Sequence, residues 1–518
     1  MKQINIFQLL FIFEIFILFN IIICASHSKE EWKSRTVYQL LTDRFAKTND
    51  NDPIKCNETL TVTCGGTFKG IINHLDYIEG MGFNAIWISP PLKNKVNSYH
   101  GYHNIDLNSI NEFFGSSQDL KDLINECHKR DIWVILDAVP NHMAGDLDIA
   151  TFIPFNKPEH YHQSSDLVGI DCSDTNKYNQ TIVENCRIYG MPDLKQENPE
   201  VKDTLINWLK NTLNDYGFDG IRYADVPNVP KWFWGEFTKA ANTYTLGIVG
   251  VDSADEKDVN YIIDYQNYMD GVGNYPLYFK IRECFCSLDS KKGSMDSLND
   301  FIQNLQTKFL EPKYMGIWLG NHDKDRFLFE CPQNISLRNA IVFTFFFEGI
   351  PIFYYGDEQY FDGQNNNDKQ REMIFGHYDT ESEIYQLLKK INFIRKTEKI
   401  YDTDFIRRYH DENHYVFTRG NVLIGVGNGD TSSTGITLYK HGFKEGDKLC
   451  NLLVDDDCIT VYDNELQFSL MGEPKIYVKQ TIENMKSYQD ADSIPVVDKS
   501  NFLRNSFLAL FLSLLFYM

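Results

Sequence analysis

The sequence predicts an α/β fold in which a (β/α)8 TIM barrel carries a small inserted domain after strand 3 and is followed by a C-terminal all-β sandwich domain. Three observations lead to this prediction. Eight short apolar strands alternate with helical patterns up to about Glu398, one connection is much longer than the others, and after Lys399 only closely spaced short strands remain. A chain of 518 residues with 43% hydrophobic residues can bury cores of this size.

The predicted barrel strands are short apolar runs, in chain order TVYQLLTDRF, FNAIWISP, IWVILDAV, FDGIRYA, YTLGIVGV, PLYFKI, YMGIWLG and IPIFYYG. Helical patterns such as SQDLKDLINECHKR and EVKDTLINWLKNTLNDYG lie between them. We therefore expect the barrel over residues 27–398. The long connection, 143–199, is expected to be the inserted domain on the carboxyl-end face, and 399–482 the β-sandwich domain.

The two ends of the chain predict secretion and lipid attachment. Residues 1–25 combine Lys2, an apolar run and a small residue at Ala25, which is typical of a signal peptide; a permanent signal anchor is the alternative. Residues 483–518 form a linker and an apolar tail that is too short to span a bilayer, which needs about 20 residues. Small residues before this tail predict a GPI-anchor signal (Ala491, Ser493), the alternative being a buried C-terminal helix.

The net charge limits the classes of partner, and the cysteine content indicates the cellular compartment. The net charge of −22 argues against nucleic acid and anionic membrane surfaces as partners, so membrane contact is expected only through the C-terminal anchor. Closely spaced cysteines predict three local disulfides, Cys56–Cys64, Cys172–Cys186 and Cys450–Cys458. No pairing is predicted for Cys127, Cys284, Cys286 and Cys331. Three sequons agree with a secreted or cell-surface glycoprotein, which we expect to be a monomer: Asn57, Asn179 and Asn334.

Polar clusters follow four of the predicted barrel strands, where the chemistry of such a barrel belongs. They are Asp137 to His142 after strand three, Arg222 to Asp225 after strand four, Gly247 to Val249 after strand five and Asn321 to Asp323 after strand seven. We expect these segments to meet at one end of the barrel and to form the functional site.

The motifs in these clusters resemble those of the α-amylase superfamily, glycoside hydrolase family 13. DAVPNH, MPDL, GFDGIRYAD and GNHD carry the resemblance, and VYQLLTDRFA, YHGYH and YQNYMDGVGNYPLY are closest to secreted fungal-type α-amylases. The resemblance covers about Glu31 to Lys479. It implies α-1,4-glucan or malto-oligosaccharide as substrate, and hydrolysis with retention, which needs two carboxyl groups about 5 Å apart.

Both of these carboxyl groups are replaced at the positions that match the family. The nucleophile position, two residues after Arg222, is Ala224, and the general-acid position on strand five is Ile248. Isoleucine can neither donate nor accept a proton. Asp225 follows one residue late, and a step of one residue on a strand turns a side chain to the opposite face. Hydrolysis is therefore expected to be impaired or absent, with Asp225 as the displaced acid if it survives.

The rest of the family's sugar site is present, as the resemblance implies. Asp323 matches the third catalytic carboxylate, so Asp323 and Asp225 are the candidate catalytic residues. The positions matched to sugar binding are Arg222, His142, His322, Asn321, Tyr102 and Arg371. One acid of the pattern is missing, because Asn367 stands four residues before Arg371.

The resemblance also implies a Ca²⁺ site. Its ligands fall on Asn141, Glu184, Asp193 and the main-chain oxygen of Asn228, and hard oxygen ligands of this kind suit Ca²⁺. The alternative is an ordinary solvated loop.

Three functions follow from these residues. The first is an inactive amylase-like protein of the cell surface that binds α-glucan or a protein partner. The second is an active secreted α-amylase that uses a displaced acid such as Asp225. The third is the accessory chain of a membrane transporter, which would require an N-terminal membrane helix joined to the barrel.

Overall fold

The computed structural model describes residues 27–56, 60–286, 293–366, 368–429 and 434–481. The predicted signal peptide, the C-terminal apolar tail with Ala491 and Ser493, the sequon Asn57 and Asn367 lie outside these ranges. Within the described ranges, no helix has the length and apolar character needed to cross a lipid bilayer.

Eight parallel strands form the barrel. They are β1 Val37–Gln39, β2 Ala85–Trp87, β3 Trp133–Ala138, β4 Gly220–Tyr223, β5 Tyr244–Gly247, β6 Gly271–Val272, β7 Gly316–Ile317 and β8 Ile350–Tyr354. Each strand pairs with the next in parallel, β1 also pairs with β8, and a parallel bridge from Gly273 to Gly316 connects β6 to β7. The predicted (β/α)8 barrel is confirmed. Its closure brings the carboxyl ends of all eight strands to one face.

Amphipathic helices surround the barrel. The longest begins after Asn198, whose side chain accepts a hydrogen bond from the backbone of Glu200, and it ends at Gly217, which has a φ of 83°. The α-helices are Lys29–Trp32, Thr42–Phe45, Phe68–Asn73, Leu75–Gly80, Ser117–His128, Gln180–Asn185, Pro199–Tyr216, Lys231–Ala241, Glu256–Tyr265, Tyr275–Phe285, Met295–Lys308, Phe327–Glu330, Asn334–Phe346 and Glu383–Thr397.

Strand six differs from its prediction. The run PLYFKI lies in the helix Tyr275–Phe285, and the strand is formed by Gly271 and Val272 instead. Asn274 caps this helix by accepting a hydrogen bond from the backbone of Leu277, and Pro276 occupies its first turn. A short apolar run is compatible with a buried helix as well as with a strand, and here the cap determines which of the two forms.

Two additions on the carboxyl-end face frame the site. A hairpin between β2 and β3 is made by Leu92–Asn94 and Asn104–Ile110, and the YHGYH motif lies in its turn. The connection from β3 to helix Pro199–Tyr216 contains helix Gln180–Asn185, and one antiparallel bridge joins its residue Asp193 to His142 near the end of β3. We call this connection the insertion; its sequence-assigned bounds, 143–199, stay a prediction.

The C-terminal part is a β-sandwich, as predicted. Its strands are β9 Phe405–His410, β10 His414–Arg419, β11 Val422–Gly427, β12 Thr434–Leu438, β13 Lys448–Asn451, β14 Cys458–Thr460, β15 Leu466–Leu470 and β16 Lys475–Lys479. Six of them form one sheet in the order β9-β10-β11-β16-β13-β14, and β12 pairs with β15 in a second sheet. Buried side chains such as Leu423, Ile436 and Phe468 form the core of this part.

The three local disulfides predicted from the sequence are confirmed. A fourth disulfide joins Cys286 to Cys331, a pairing that the spacing did not predict. Cys127 and Cys284 are buried outside these four disulfides, and Cys284 Sγ lies 3.6 Å from Ser297 Oγ.

Candidate active site

A buried network of polar groups occupies the centre of the carboxyl-end face. Asp137, at the end of β3, accepts hydrogen bonds from Arg222 Nη1 at 2.8 Å, from Tyr102 Oη at 2.6 Å and from Trp87 Nε1 at 3.0 Å. Burial raises the pKa of Asp137, although the Arg222 guanidinium opposes this shift. The network fixes Tyr102 and Arg222 in place before any ligand binds.

His322 extends this network as a neutral histidine. Gln39 Nε2 lies 2.7 Å from its Nδ1 and therefore donates to it, so Nε2 carries the proton and donates to Tyr102 Oη at 3.0 Å. Burial lowers the pKa of His322 to about 3, in spite of Asp323 beside it. The rings of Tyr102 and His322 stack with an interplanar angle of 14°. His322 is buried whereas Tyr102 is half-exposed, so Tyr102 is the ring of this pair that a ligand can reach.

Asp323 and Arg371 form the charged side of the site. Arg371 Nη2 lies 3.3 Å from Asp323 Oδ1, its Nε donates to the carbonyl oxygen of His322 at 2.7 Å, and its Nη1 donates to Tyr99 Oη at 3.1 Å. Burial disfavours the ionised Asp323, but the Arg371 and Arg222 guanidinium groups hold its pKa below the ordinary value. The site therefore keeps one partly exposed carboxylate ionised at neutral pH.

Ala224 and Ile248, which the sequence analysis matched to the nucleophile and general-acid positions, are adjacent and apolar. Tyr223 and Gly247 pair across β4 and β5, and Ile248 N donates to the carbonyl oxygen of Tyr223, so Ala224 and Ile248 follow side by side. Ala224 is 2% exposed and Ile248 8% exposed. A Cβ added to Gly273 would lie 2.2 Å from Trp318 and 3.1 Å from Ile248 Cδ1, so these two side chains pack side by side against that glycine. An apolar contact occupies this part of the site.

The Arg222 guanidinium, two residues before Ala224, is only partly hydrogen-bonded. Arg222 is 4% exposed, and its Nε has no hydrogen-bond partner among the described residues, whereas its Nη1 is bonded to Asp137 and Tyr102. Buried polar atoms are normally hydrogen-bonded. A carboxylate two residues further along the chain would be a suitable partner for this donor.

Asp225 does not follow the expected alternation. The strand β4 ends at Tyr223, and Asp225 adopts the left-handed conformation with φ 50° and ψ 39°. The side-chain alternation of the strand therefore does not extend to Asp225, whose side chain is not turned away from the site. Its Oδ2 lies 3.6 Å from His142 Nδ1. Burial lowers the pKa of His142, which therefore faces Asp225 as a neutral ring. The acid that follows the nucleophile position thus lies beside a predicted sugar-binding residue.

His142 and Asn321 are held by the protein itself. His142 Nε2 donates to the carbonyl oxygen of Tyr102 at 3.1 Å. The Asn321 side chain donates to Tyr275 Oη at 2.9 Å and accepts from the backbone N–H of Asp323 at 2.9 Å. These contacts account for the orientation of both side chains, and their predicted sugar contacts stay a prediction.

Three of the four predicted calcium ligands lie close together. One terminal atom of the Asn141 amide lies 3.1 Å from Asp193 Oδ1 and 2.8 Å from the carbonyl oxygen of Asn228. If this atom is nitrogen it donates to both; if it is oxygen, three hard ligands face one point. Glu184 is turned elsewhere, because its Oε1 accepts from Gln180 Nε2 and from the backbone of Lys231.

Asp193 has a second partner that the sequence did not indicate. Its Oδ2 lies 2.6 Å from His162 Nδ1, and His162 Nε2 lies 3.2 Å from Glu197. Burial opposes the charge on His162, but the two carboxylates raise its pKa. No group of three His, Cys, Asp or Glu side chains with metal-binding geometry occurs in the described part of the chain. Two of the three neighbouring groups are the Asn141 amide and the Asn228 main-chain carbonyl, and the third is the Asp193 carboxylate. Oxygen ligands of such mixed type suit Ca²⁺.

Sequence reasoning missed several residues that build this site. Gln39 and Trp87 lie in apolar runs, where a packing role is the ordinary expectation, and each hydrogen-bonds a residue of the network. Tyr99 is the first residue of YHGYH and hydrogen-bonds Arg371, but only Tyr102 of that motif was assigned to the site. Their position at the carboxyl ends of strands, or in the hairpin that carries YHGYH, is the only signal that could have found them. His162 carried no such signal.

Comparison with known proteins identifies what this arrangement is similar to. The sequence-family model of the α-amylase catalytic domain matches residues 39–383 of this chain. An α-amylase of Saccharomycopsis fibuligera is 32% identical over 472 residues, which cover 87% of this chain and 92% of the relative. Alpha-amylase 2 of Schizosaccharomyces pombe is 35% identical over 416 residues, covering 77% of this chain and 68% of the relative.

Solved structures give the same result. The α-amylase of Malbranchea cinnamomea superposes with a TM-score of 0.80 at 32% identity, covering 87% of this chain and 97% of that one. The α-amylase of Geobacillus thermoleovorans, solved in complex with acarbose, superposes with a TM-score of 0.75 at 31% identity, covering 87% and 99%.

Proposed function

Because the chain belongs to the α-amylase family of glycoside hydrolases, we propose that it binds α-1,4-glucans or malto-oligosaccharides at the carboxyl end of its barrel and does not hydrolyse them efficiently. One observation supports the proposal: Ala224 and Ile248, the residues matched to the nucleophile and general-acid positions, are buried apolar side chains. Loss of an essential group from a catalytic unit reduces kcat by roughly 10⁴-fold or more. Sugar binding needs neither group, and residues matched to it are retained, among them Tyr102, His322, Asp323 and Arg371.

A second function has one observation in its favour. Asp225 lies 3.6 Å from His142 instead of facing away, so a displaced carboxylate is present at the edge of the site. An active α-amylase using Asp225 is therefore the alternative to test. The relatives reported above are named as amylases, which does not favour the accessory chain of a transporter.

The test measures release of reducing sugar from soluble starch, and binding of maltohexaose by calorimetry. We expect no release above a buffer blank, together with saturable binding. Asp225→Asn keeps the left-handed backbone, because Asn tolerates positive φ. Its matched control is Asp456→Asn, a left-handed aspartate in the β-sandwich domain with a φ of 60°. Turnover by the wild type that disappears only in Asp225→Asn would establish the alternative, whereas absence of both turnover and binding would refute glucan recognition.

Calcium is part of the proposal. Asn141 Oδ1, Asp193 Oδ1 and the Asn228 carbonyl oxygen would hold the ion, with Glu184 as a further ligand after rotation away from Lys231. When bound, the ion supplies positive charge between β3, β4 and the insertion. The three groups come from separate segments that converge on one point, so its role would be to hold those segments together.

We further propose that the protein is secreted, remains a monomer and is attached to the cell surface by a C-terminal lipid. The four disulfides support an oxidising compartment. The composition of residues 1–25 and 483–518 supports a signal peptide and an anchor signal.

A further inference from the structure

A chain of charged side chains crosses the carboxyl-end face of the barrel. Lys177 of the insertion lies 2.8 Å from Asp252 Oδ2 and 3.0 Å from Asp258 Oδ1. Lys324 Nζ lies 3.9 Å from the other carboxylate oxygen of Asp252. We call these four residues the Asp252 bridge. It ties together three segments that follow different strands: the insertion after β3, the segment after β5 and the loop after β7.

Asp258 anchors the bridge in the protein. It is 2% exposed and accepts hydrogen bonds from Tyr178 Oη at 2.7 Å, from Ser253 N at 2.9 Å and from Ser253 Oγ at 2.8 Å. Lys257 Nζ lies 3.6 Å from the ring centroid of Tyr178. An isolated exposed ion pair contributes little. Here the buried carboxylate of Asp258 holds Lys177 at one end of the bridge, so Lys177 is fixed where it meets Asp252.

The position of the bridge bears on the path of a ligand. The sugar-binding side chains Tyr102, His142, Asp323 and Arg371 come from the β2–β3 hairpin and from the ends of β3, β7 and β8. The bridge runs from the insertion to the β7 loop by way of the β5 segment, and Lys324 directly follows Asp323, so the bridge borders the site on this side. A glucan that continued past Asp323 in this direction would meet the charged side chains of Asp252 and Lys324.

We propose that the Asp252 bridge restricts the site to the end of a glucan chain and excludes internal segments of a long or cyclic glucan. This inference rests on the proposed glucan binding and names the class of glucan that the site takes. Asp252, Lys177 and Lys324 are then specificity-determining residues, although none of them belongs to the matched catalytic motifs.

The test compares the binding of a linear and a cyclic glucan by calorimetry. Maltohexaose has a free end and β-cyclodextrin has none, so we expect the wild type to bind the first and to bind the second much more weakly. Asp252→Asn removes the charge that both lysines contact, and it should raise the affinity for β-cyclodextrin by ~3- to 5-fold, the range of an exposed ion pair. The affinity for maltohexaose should not change.

The matched control is Glu256→Gln. Glu256 lies in the same segment and has similar exposure, but it pairs with Lys308 and does not reach the insertion. Its affinities should equal those of the wild type, and Lys177→Gln should reproduce the effect of Asp252→Asn. Equal binding of both sugars by the wild type, or no effect of Asp252→Asn and Lys177→Gln, would overturn this inference alone. Failure of the wild type and the bridge variants to bind either sugar would overturn the proposed function and this inference with it.

Discussion

The two halves of the carboxyl-end face differ in what their strand ends carry. The half built by the hairpin, β3, β7 and β8 presents a polar network in which Tyr102 is hydrogen-bonded to both Asp137 and His322. The half built by β4 and β5 presents Ala224 and Ile248, and Ile248 packs beside Trp318. Sugar recognition is spread over many groups, whereas cleavage depends on two carboxyl groups at one distance. One function can therefore be lost from the fold while the other is kept.

Arg222 belongs to both halves and offers the strongest test of the polar one. It lies on β4, but its guanidinium is bonded to Asp137 of β3, and both side chains are buried. Asp137→Ala leaves a buried cation without its partner, which costs about 3–5 kcal/mol of the free energy of unfolding. Denaturant titration measures this loss.

The control for Asp137→Ala is a surface pair. Lys202 and Glu236 lie 3.1 Å apart on neighbouring helices and are partly or largely exposed. Glu236→Ala should change the free energy of unfolding by less than about 1 kcal/mol. If Asp137→Ala has an equally small effect, the network does not stabilise the polar half.

Calcium removal is expected to have the next largest effect. Binding at a ligand concentration 100 times Kd stabilises a protein by about 2.7 kcal/mol. Excess chelator should therefore lower the melting temperature by roughly 3–5 °C, and added Ca²⁺ should restore it. Asn141→Ala should be insensitive to the chelator, whereas an unchanged wild-type melting temperature would remove the calcium proposal.

A pair of substitutions compares the two halves directly by ligand binding. Asp323→Asn removes a charged hydrogen-bond acceptor, which is worth about 1.5–3 kcal/mol, so maltohexaose should bind roughly 10-fold or more weakly. Ile248→Val, in the apolar half, should leave binding within about twofold. Calorimetry gives both values, and circular dichroism checks the fold. Equal losses of maltohexaose affinity in the two variants would show that binding does not depend more on the polar half than on the apolar half.

The sequence predicted the barrel and the meeting of its strand ends well, because polar residues directly after apolar runs indicate position in a parallel barrel. It failed for PLYFKI, where a cap at Asn274 decides between helix and strand. It also failed for the direction of Asp225, because the alternation of a strand does not extend into a left-handed residue.

The sequence did not predict the long-range contacts, for a different reason. Lys177 and Asp252 are 75 residues apart in the chain, and each alone is an ordinary surface charge. Cys286 and Cys331 are 45 residues apart, and their pairing depends on how the loops after β6 and β7 meet. Such contacts follow from the closed barrel and not from any local pattern.

The most direct test of the central claim restores the two carboxyl groups. If Ala224 and Ile248 occupy the nucleophile and general-acid positions, Ala224→Asp combined with Ile248→Glu should release reducing sugar from starch, while the wild type and each single variant stay at the blank. Both groups are needed because they act on opposite sides of one glycosidic bond. Turnover by the wild type, or a double variant that folds and binds maltohexaose but stays at the blank, would contradict the claim.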